Sequence, residues 1–189
     1  MGVVKGGKRL PAGEALVQAA TEHPYIKVAD LGHKKFVTLT SSFEYLTPDT
    51  QAKISRYTVT TGDLVISIVG TIGLVKLIDN SLDGANLTEN CAKVTNREAH
   101  TGDLLYHYLI SHEGRREFEM RTVGGVQGKL PLYNISSLPC VFPEAGTRAA
   151  FERMIQKCNR LIAATQRDSD ALVRLKTLLL ASIASRCKA

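Results

Sequence analysis

Beyond Pro143 and Gly146 the chain runs to Ala189 without a helix breaker, and this run constrains the fold more than any other feature. Phe151, Ile155, Cys158, Ile162, Thr165, Ser169, Leu172, Lys176, Leu179 and Ile183 follow a 4-3 alternation, and Leu161, Leu175 and Leu178 widen the stripe. The pattern predicts one coiled-coil-type helix over 144–189, roughly forty residues and on the order of 60 Å long. A helix of that length overhangs a small domain and cannot bury its apolar face on it alone. It asks for a second helix, from further sequence or from another copy. The polar "TQRDSD" segment (165–170) weakens the seam at its middle.

The remaining sequence, 1–143, has the size of one globular domain. Two alternating or β-branched stretches, "YIKVADL" (25–31) and "KKFVTLT" (34–40), read as strands. So does the opening segment before Pro11. "TPDTQAKISRY" holds a helical turn after Pro48. "DLVISIV" is nearly continuous in β-branched residues, as a strand buried on both faces requires, and "LVKLI" (74–78) follows at hairpin distance. "CAKVT" (91–95) is a further strand after the loop "DNSLDGAN". From Gly102 the period becomes helical and is read as one helix through "EGRREFEM", placing His107 and His112 on it. "VGGVQGKLPLYN" (123–134) is a Gly-rich basic loop, and "LPCVFP" (138–143) an edge strand. The fold class is α+β: a twisted, mostly antiparallel sheet with short helices, then the long helix.

The net charge is +6, and its placement narrows the partner class. Residues 1–35 carry six Lys/Arg against three acids, and 144–189 carry nine against four. The middle carries nine against eleven. Basic ends on a nearly neutral body suit an acidic partner.

Chemistry is harder to find. The central "VGTIGLVKL" runs from strand into strand with no Gly-Lys-Ser/Thr at a helix start, so it is no Walker loop. It also lacks the Gly-x-Gly-x-x-Gly spacing of a dinucleotide site. Gly70 and Gly73 make it a hairpin corner, with Thr71 placed to bond the turn. No Gly-x-Ser-x-Gly elbow, His-Glu-x-x-His helix or Asn/Asp-Pro-Pro-aromatic methyltransferase motif occurs. Cys91, Cys140, Cys158 and Cys187 show no metal-ligand spacing, and the histidines are scattered. No catalytic residue, metal site or bound cofactor is expected. No apolar run reaches membrane-spanning length, so a cytoplasmic protein with reduced thiols is expected.

In order, "KGGKRLPAGE", "PYIKVADL", "GDLVISIVGTIGLVKLI", "NLTENCAKVT", "LLYHYLIS" and "GGVQGKLPLYNISSLPCVFP" resemble a target recognition domain of type I restriction-modification specificity subunits. The most diagnostic pieces are GD-x-x-x-S-x-x-GT-x-G (62–73) and GG-x-Q-x-KL (124–130). The resemblance spans about Gly6 to Pro143, and the following helix is similar to that family's spacer helix. It implies a non-enzymatic reader of one half of a bipartite duplex DNA site. It also implies docking of a DNA adenine methyltransferase subunit that itself uses S-adenosylmethionine, and of the restriction (translocase/endonuclease) subunit through the complex. The partner for the helix is then a second recognition half or a second copy. Such domains usually carry more residues ahead of "KGGKRLP", so a fragment or a natural half-subunit is expected. Two other readings are kept: a recognition module detached from a fused restriction-methylation enzyme, and an interaction protein acting only through its helix.

On general grounds Lys and Arg hold phosphates while polar loop side chains read base edges. Lys5, Lys8, Arg9, Lys34, Lys35 and Lys129 are the phosphate candidates, with Gln127 beside Lys129 on the Gly-rich loop. The resemblance implies that this loop recurs across targets, which suits phosphate contact or docking better than base reading. Readers are expected in 32–57 and 79–90, with Asn80, Asn86 and Asn90 as donors and acceptors. Phe151, Ile155, Cys158, Ile162, Leu172, Leu179 and Ile183 are the helix-pairing set. Arg153, Lys157, Arg160 and Arg174 lie on the same helix and face either DNA, the methyltransferase or solvent.

Overall fold

The computed structural model describes residues 2–95, 101–125, 128–140 and 143–186. It divides into two compact units, 1–141 and 142–189. In the first, five strands form one sheet: β1 (Val3–Gly6), β3 (Phe36–Val37), β5 (Leu64–Ser67), β6 (Val75–Ile78) and β8 (Cys91–Thr95). Their spatial order is β1-β8-β5-β6-β3, antiparallel except for the last pair. A second, three-stranded sheet has the order β4-β2-β7, from β2 (Pro24–Ile26), β4 (Glu44–Tyr45) and β7 (Asn86–Leu87). The single sheet expected from sequence is therefore two.

The central strand β5 is buried at all four positions. Leu64 and Ile66 face one core with Leu105, Leu109, Phe118 and Ile135. Val65 faces the other, with Ile26, Phe43, Val59 and Leu87. Alternation is lost because both faces are apolar environments, which is why the run reads as continuous. Helices α2 (Thr101–Ile110), α3 (His112–Arg121) and α4 (Leu132–Ser136) supply the first cover. The small sheet and the two-residue β3 supply the second. The turn after Pro48 is α1 (Pro48–Lys53), with Pro48 in its first turn and the Thr47 hydroxyl capping the Thr50 N–H at 3.3 Å.

Several expectations change. "YIKVADL" is strand only to Ile26, because the Asp30 carboxylate accepts the Lys27 N–H at 2.7 Å and curls Val28–Leu31 into a 3-10 turn. The helix expected from Gly102 is two helices, so His107 and His112 do not share one. Ser111 ends α2 with extended backbone and caps α3 by accepting the Gly114 N–H at 3.2 Å. Gly114 lets α3 press on α2, since a Cβ there would lie 2.3 Å from the Tyr108 carbonyl oxygen. Leu138–Cys140 and Pro143 are not strand, and 141–142 of that expected edge strand lie outside the described residues.

The GTIG segment is a hairpin corner between β5 and β6, with Gly70 and Gly73 at φ +76° and +83°. The hydroxyl that holds it is that of Ser67, donating to the Thr71 carbonyl and accepting the Leu74 N–H at 2.9 Å.

The second unit is α5 (Ala145–Arg186), 42 residues of continuous helix and about 63 Å long at 1.5 Å per residue. Leu161, Ile162, Leu172, Val173, Leu175 and Leu178 are each more than half exposed on it. Among the described residues no helix is long and apolar enough to cross a membrane.

Candidate nucleic-acid interface

The basic N-terminal loop is pinned by its backbone. The Gly7 N–H donates to the Cys91 carbonyl at 3.0 Å and the Lys8 N–H to that of Leu87 at 2.8 Å. Tyr25 Oη donates to the Lys8 carbonyl at 2.8 Å. Gly7 is obligatory here, since a Cβ would stand 2.1 Å from the Thr88 carbonyl oxygen. The backbone is thereby fixed while the side chains of Lys8 and Arg9 stay exposed. Lys8 Nζ lies 5.8 Å from the centre of the Tyr57 ring. Arg9 Nε donates to Glu89 Oε1 at 2.7 Å, yet the guanidinium side chain is 80% exposed and its other N–H groups can serve a second anion. Lys5, exposed on β1, stands opposite Lys93 of β8.

The other phosphate candidates lie elsewhere. Lys35 is mostly buried and ion-paired with Asp103 at 2.6 Å, its ammonium between the rings of Phe36 and Tyr106 at 5.4 Å from each. The ion pair ties the start of β3 to α2. Lys34 beside it is exposed. Both precede the edge strand opposite β1, four strand spacings or about 19 Å across the sheet. Lys129 is exposed and sits at the GTIG corner, bridging Val123 and Val69. There the two diagnostic sequence pieces meet: the Leu130 N–H donates to the Ile68 carbonyl at 2.9 Å, and Gly128 packs under Ile72. Lys5, Lys8 and Arg9 lie on β1 and the loop that follows it, apart from Lys34, Lys35 and Lys129; Gln127 lies outside the described residues.

Among the expected readers, Asn86 is corrected. It is fully buried in β7, and its Nδ2 donates to the Ile54 carbonyl at 2.9 Å. It holds α1 to the small sheet and presents nothing to a duplex. Asn90 is half-buried, and an exposed Asn80 opens the 3-10 turn Asn80–Leu82. Sequence reasoning missed Arg56 and Tyr57, which line a groove with Lys5. Their only signal was position, within a stretch expected to vary with the target.

The thiols of Cys91 and Cys140 are held in the protonated form. Burial, with smaller contributions from Asp30 and Glu89, pushes the Cys91 thiol up to about 12, and burial pushes that of Cys140 up to about 11. Among the described residues no three His, Cys, Asp or Glu side chains gather as a metal site. Of the pairing set on α5, Phe151 and Ile155 are half-buried and Cys158, Ile162 and Leu172 exposed; the side chains of Leu179 and Ile183 lie outside the described ones.

The first unit is thus a two-sheet domain that carries a backbone-pinned basic loop. The family profile for the type I restriction modification DNA specificity domain matches residues 2–183, and the chain belongs to that family. Among solved structures, it is similar to the crystal structure of a type I restriction-modification system S subunit from M. genitalium, with a TM-score of 0.55 and 12% identity. That match covers 84% of this chain and 37% of the other, so the chain spans well under half of that subunit. A search of curated proteins finds no match.

Proposed function

We propose that the chain is the non-catalytic recognition half of a type I restriction-modification specificity subunit. It reads one half of a bipartite duplex DNA site and docks a DNA adenine methyltransferase subunit. The restriction (translocase/endonuclease) subunit joins through that complex. The match of the family profile to residues 2–183 carries this reading, and the pinned, exposed Lys8 and Arg9 beside Lys5 support it. Helix α5 supplies half of a two-helix spacer, pairing through its exposed Ile162 and Leu172 with a second recognition half or a second copy of the chain. S-adenosylmethionine and ATP belong to the partners in this scheme, and the place of action is the cytoplasm, where DNA is. The test is equilibrium binding of the full chain to a labelled 30-base-pair duplex, titrated with salt. Affinity that falls linearly on a log–log plot, with a slope of several charges, is expected. Binding that is absent at low salt, or insensitive to salt, contradicts the reading and leaves α5 as the functional part.

A further inference from the structure

A groove of about 450 Å³ runs between β1 and residues 56–58, with Lys5, Arg56, Tyr57, Thr58 and Lys93 on its walls. Its charge pattern is unusual for a surface left to water. Lys5 and Lys93 are cross-strand partners on one face, and like charges directly opposite each other destabilise a sheet. One of the two is answered: Lys93 Nζ is 3.2 Å from Oδ2 of Asp63, a buried carboxylate also bound by the Thr60 N–H. Among the described residues none of Lys5, Lys8 and Arg56 makes an ion pair. Elsewhere cations are committed, as in Lys27–Glu44, Lys35–Asp103, Lys53–Glu14 and Arg121–Glu117. The walls are also held rigidly. The Tyr57 N–H donates to the Ile54 carbonyl at 3.1 Å and its carbonyl accepts the Leu87 N–H at 2.9 Å, so the backbone that carries the ring under Lys8 is fixed.

We infer that this groove seats one strand of the duplex's sugar–phosphate backbone, with Lys5, Lys8 and Arg56 on phosphates and Tyr57 positioning Lys8. The assignment rests on the DNA-reading function proposed above. Lys5 and Arg56 on the groove walls, with Lys8 held over the Tyr57 ring, set three positive charges along a path an extended polyanion can follow. Because these contacts are to phosphate, they set register and affinity and carry no sequence preference.

The test uses the full chain and the same 30-base-pair duplex. Lys5→Ala, Lys8→Ala and Arg56→Ala should each lower the salt slope by about 0.9, one released counterion per contact. Affinity should weaken equally for any sequence. Tyr57→Leu should reproduce much of the Lys8→Ala change, whereas Tyr57→Phe should retain the wild-type slope. Lys53→Ala, which removes an ammonium already answered by Glu14, should leave the slope unchanged. Thermal melts of each variant separate loss of contact from loss of fold. If wild type binds and the folded Lys5, Lys8 and Arg56 variants keep its slope, the groove assignment is wrong and the DNA-reading proposal stands. If wild type shows no salt-dependent binding, both fall.

Discussion

Replacing Asn86 by Ala separates two roles that sequence alone confuses. A base-reading asparagine is exposed and dispensable for folding, whereas Asn86 is fully buried with its Nδ2 on the Ile54 carbonyl at 2.9 Å. Asn86→Ala removes that bond, but the Ile54 carbonyl keeps the Tyr57 N–H at 3.1 Å and is not orphaned. The hydrogen-bond loss therefore stays near the usual net value of about 1 kcal/mol. Space left by the missing amide adds about 1 kcal/mol more, and the Oδ1 that goes with it has no hydrogen-bond partner to lose. A total near 2 kcal/mol corresponds to a fall in melting temperature of roughly 7 °C for a unit of this size. Asn86→Asp should cost more, because an oxygen replaces the donor and a buried carboxylate meets a carbonyl. Urea denaturation gives the stability, and selection from random duplexes gives the base preference. The account expects a lower midpoint with an unchanged motif. A stable variant with an altered motif would refute the reasoning and return Asn86 to the readers.

Ser67→Ala should destabilise by about 1–3 kcal/mol, because the Leu74 N–H and Thr71 carbonyl lose their partner at the corner; an unchanged urea midpoint contradicts this. Gly114→Ala should cost about 3 kcal/mol, since its Cβ falls 2.3 Å from the Tyr108 carbonyl oxygen and α3 must lift from α2; a wild-type melt contradicts it. Burial holds the Lys76 ammonium below its usual pKa, so the unfolded chain keeps that proton to higher pH than the folded one. The penalty is full below the folded pKa and fades as pH rises towards the unfolded value, so the stability advantage of Lys76→Met should shrink with pH. A pH-independent difference between the two proteins contradicts that assignment. Combining Ile162→Asp with Leu172→Asp should halve the molar mass in light scattering if α5 pairs with a second copy, while a mass unchanged from a paired wild type removes these residues from the seam.

How much was legible depends on how local each cause is. The two-sided burial of β5, the GTIG corner and the length of α5 are written in contiguous residues, through β-branching, paired glycines and a missing breaker. β4 and β7 are two residues long each and exist only through partners: Tyr25 faces Glu44 on one side and Asn86 on the other. No local pattern announces such strands. The break at Ser111 was hidden because helical periodicity continues across it, and the cap matters only once Gly114 has to meet Tyr108. For the interface, residue type singled out Lys5, Lys8 and Arg9, and their exposure on β1 and the loop after it agrees with a surface role. It failed for Lys35, whose charge is spent on Asp103 some 70 residues away, and for Asn86. Arg56 lay within the stretch 32–57 expected to hold readers but was not singled out, because nothing in "ISRY" says that β1 lies opposite.

The central claim, that this chain reads sequence in duplex DNA, is tested most directly by selection from a random duplex library at low salt, with and without a DNA adenine methyltransferase subunit. The account predicts enrichment of one short motif of about three to five base pairs, with single substitutions in it weakening binding by about 1–3 kcal/mol each. A library that stays random in both arms, although the methyltransferase subunit binds the chain, contradicts it.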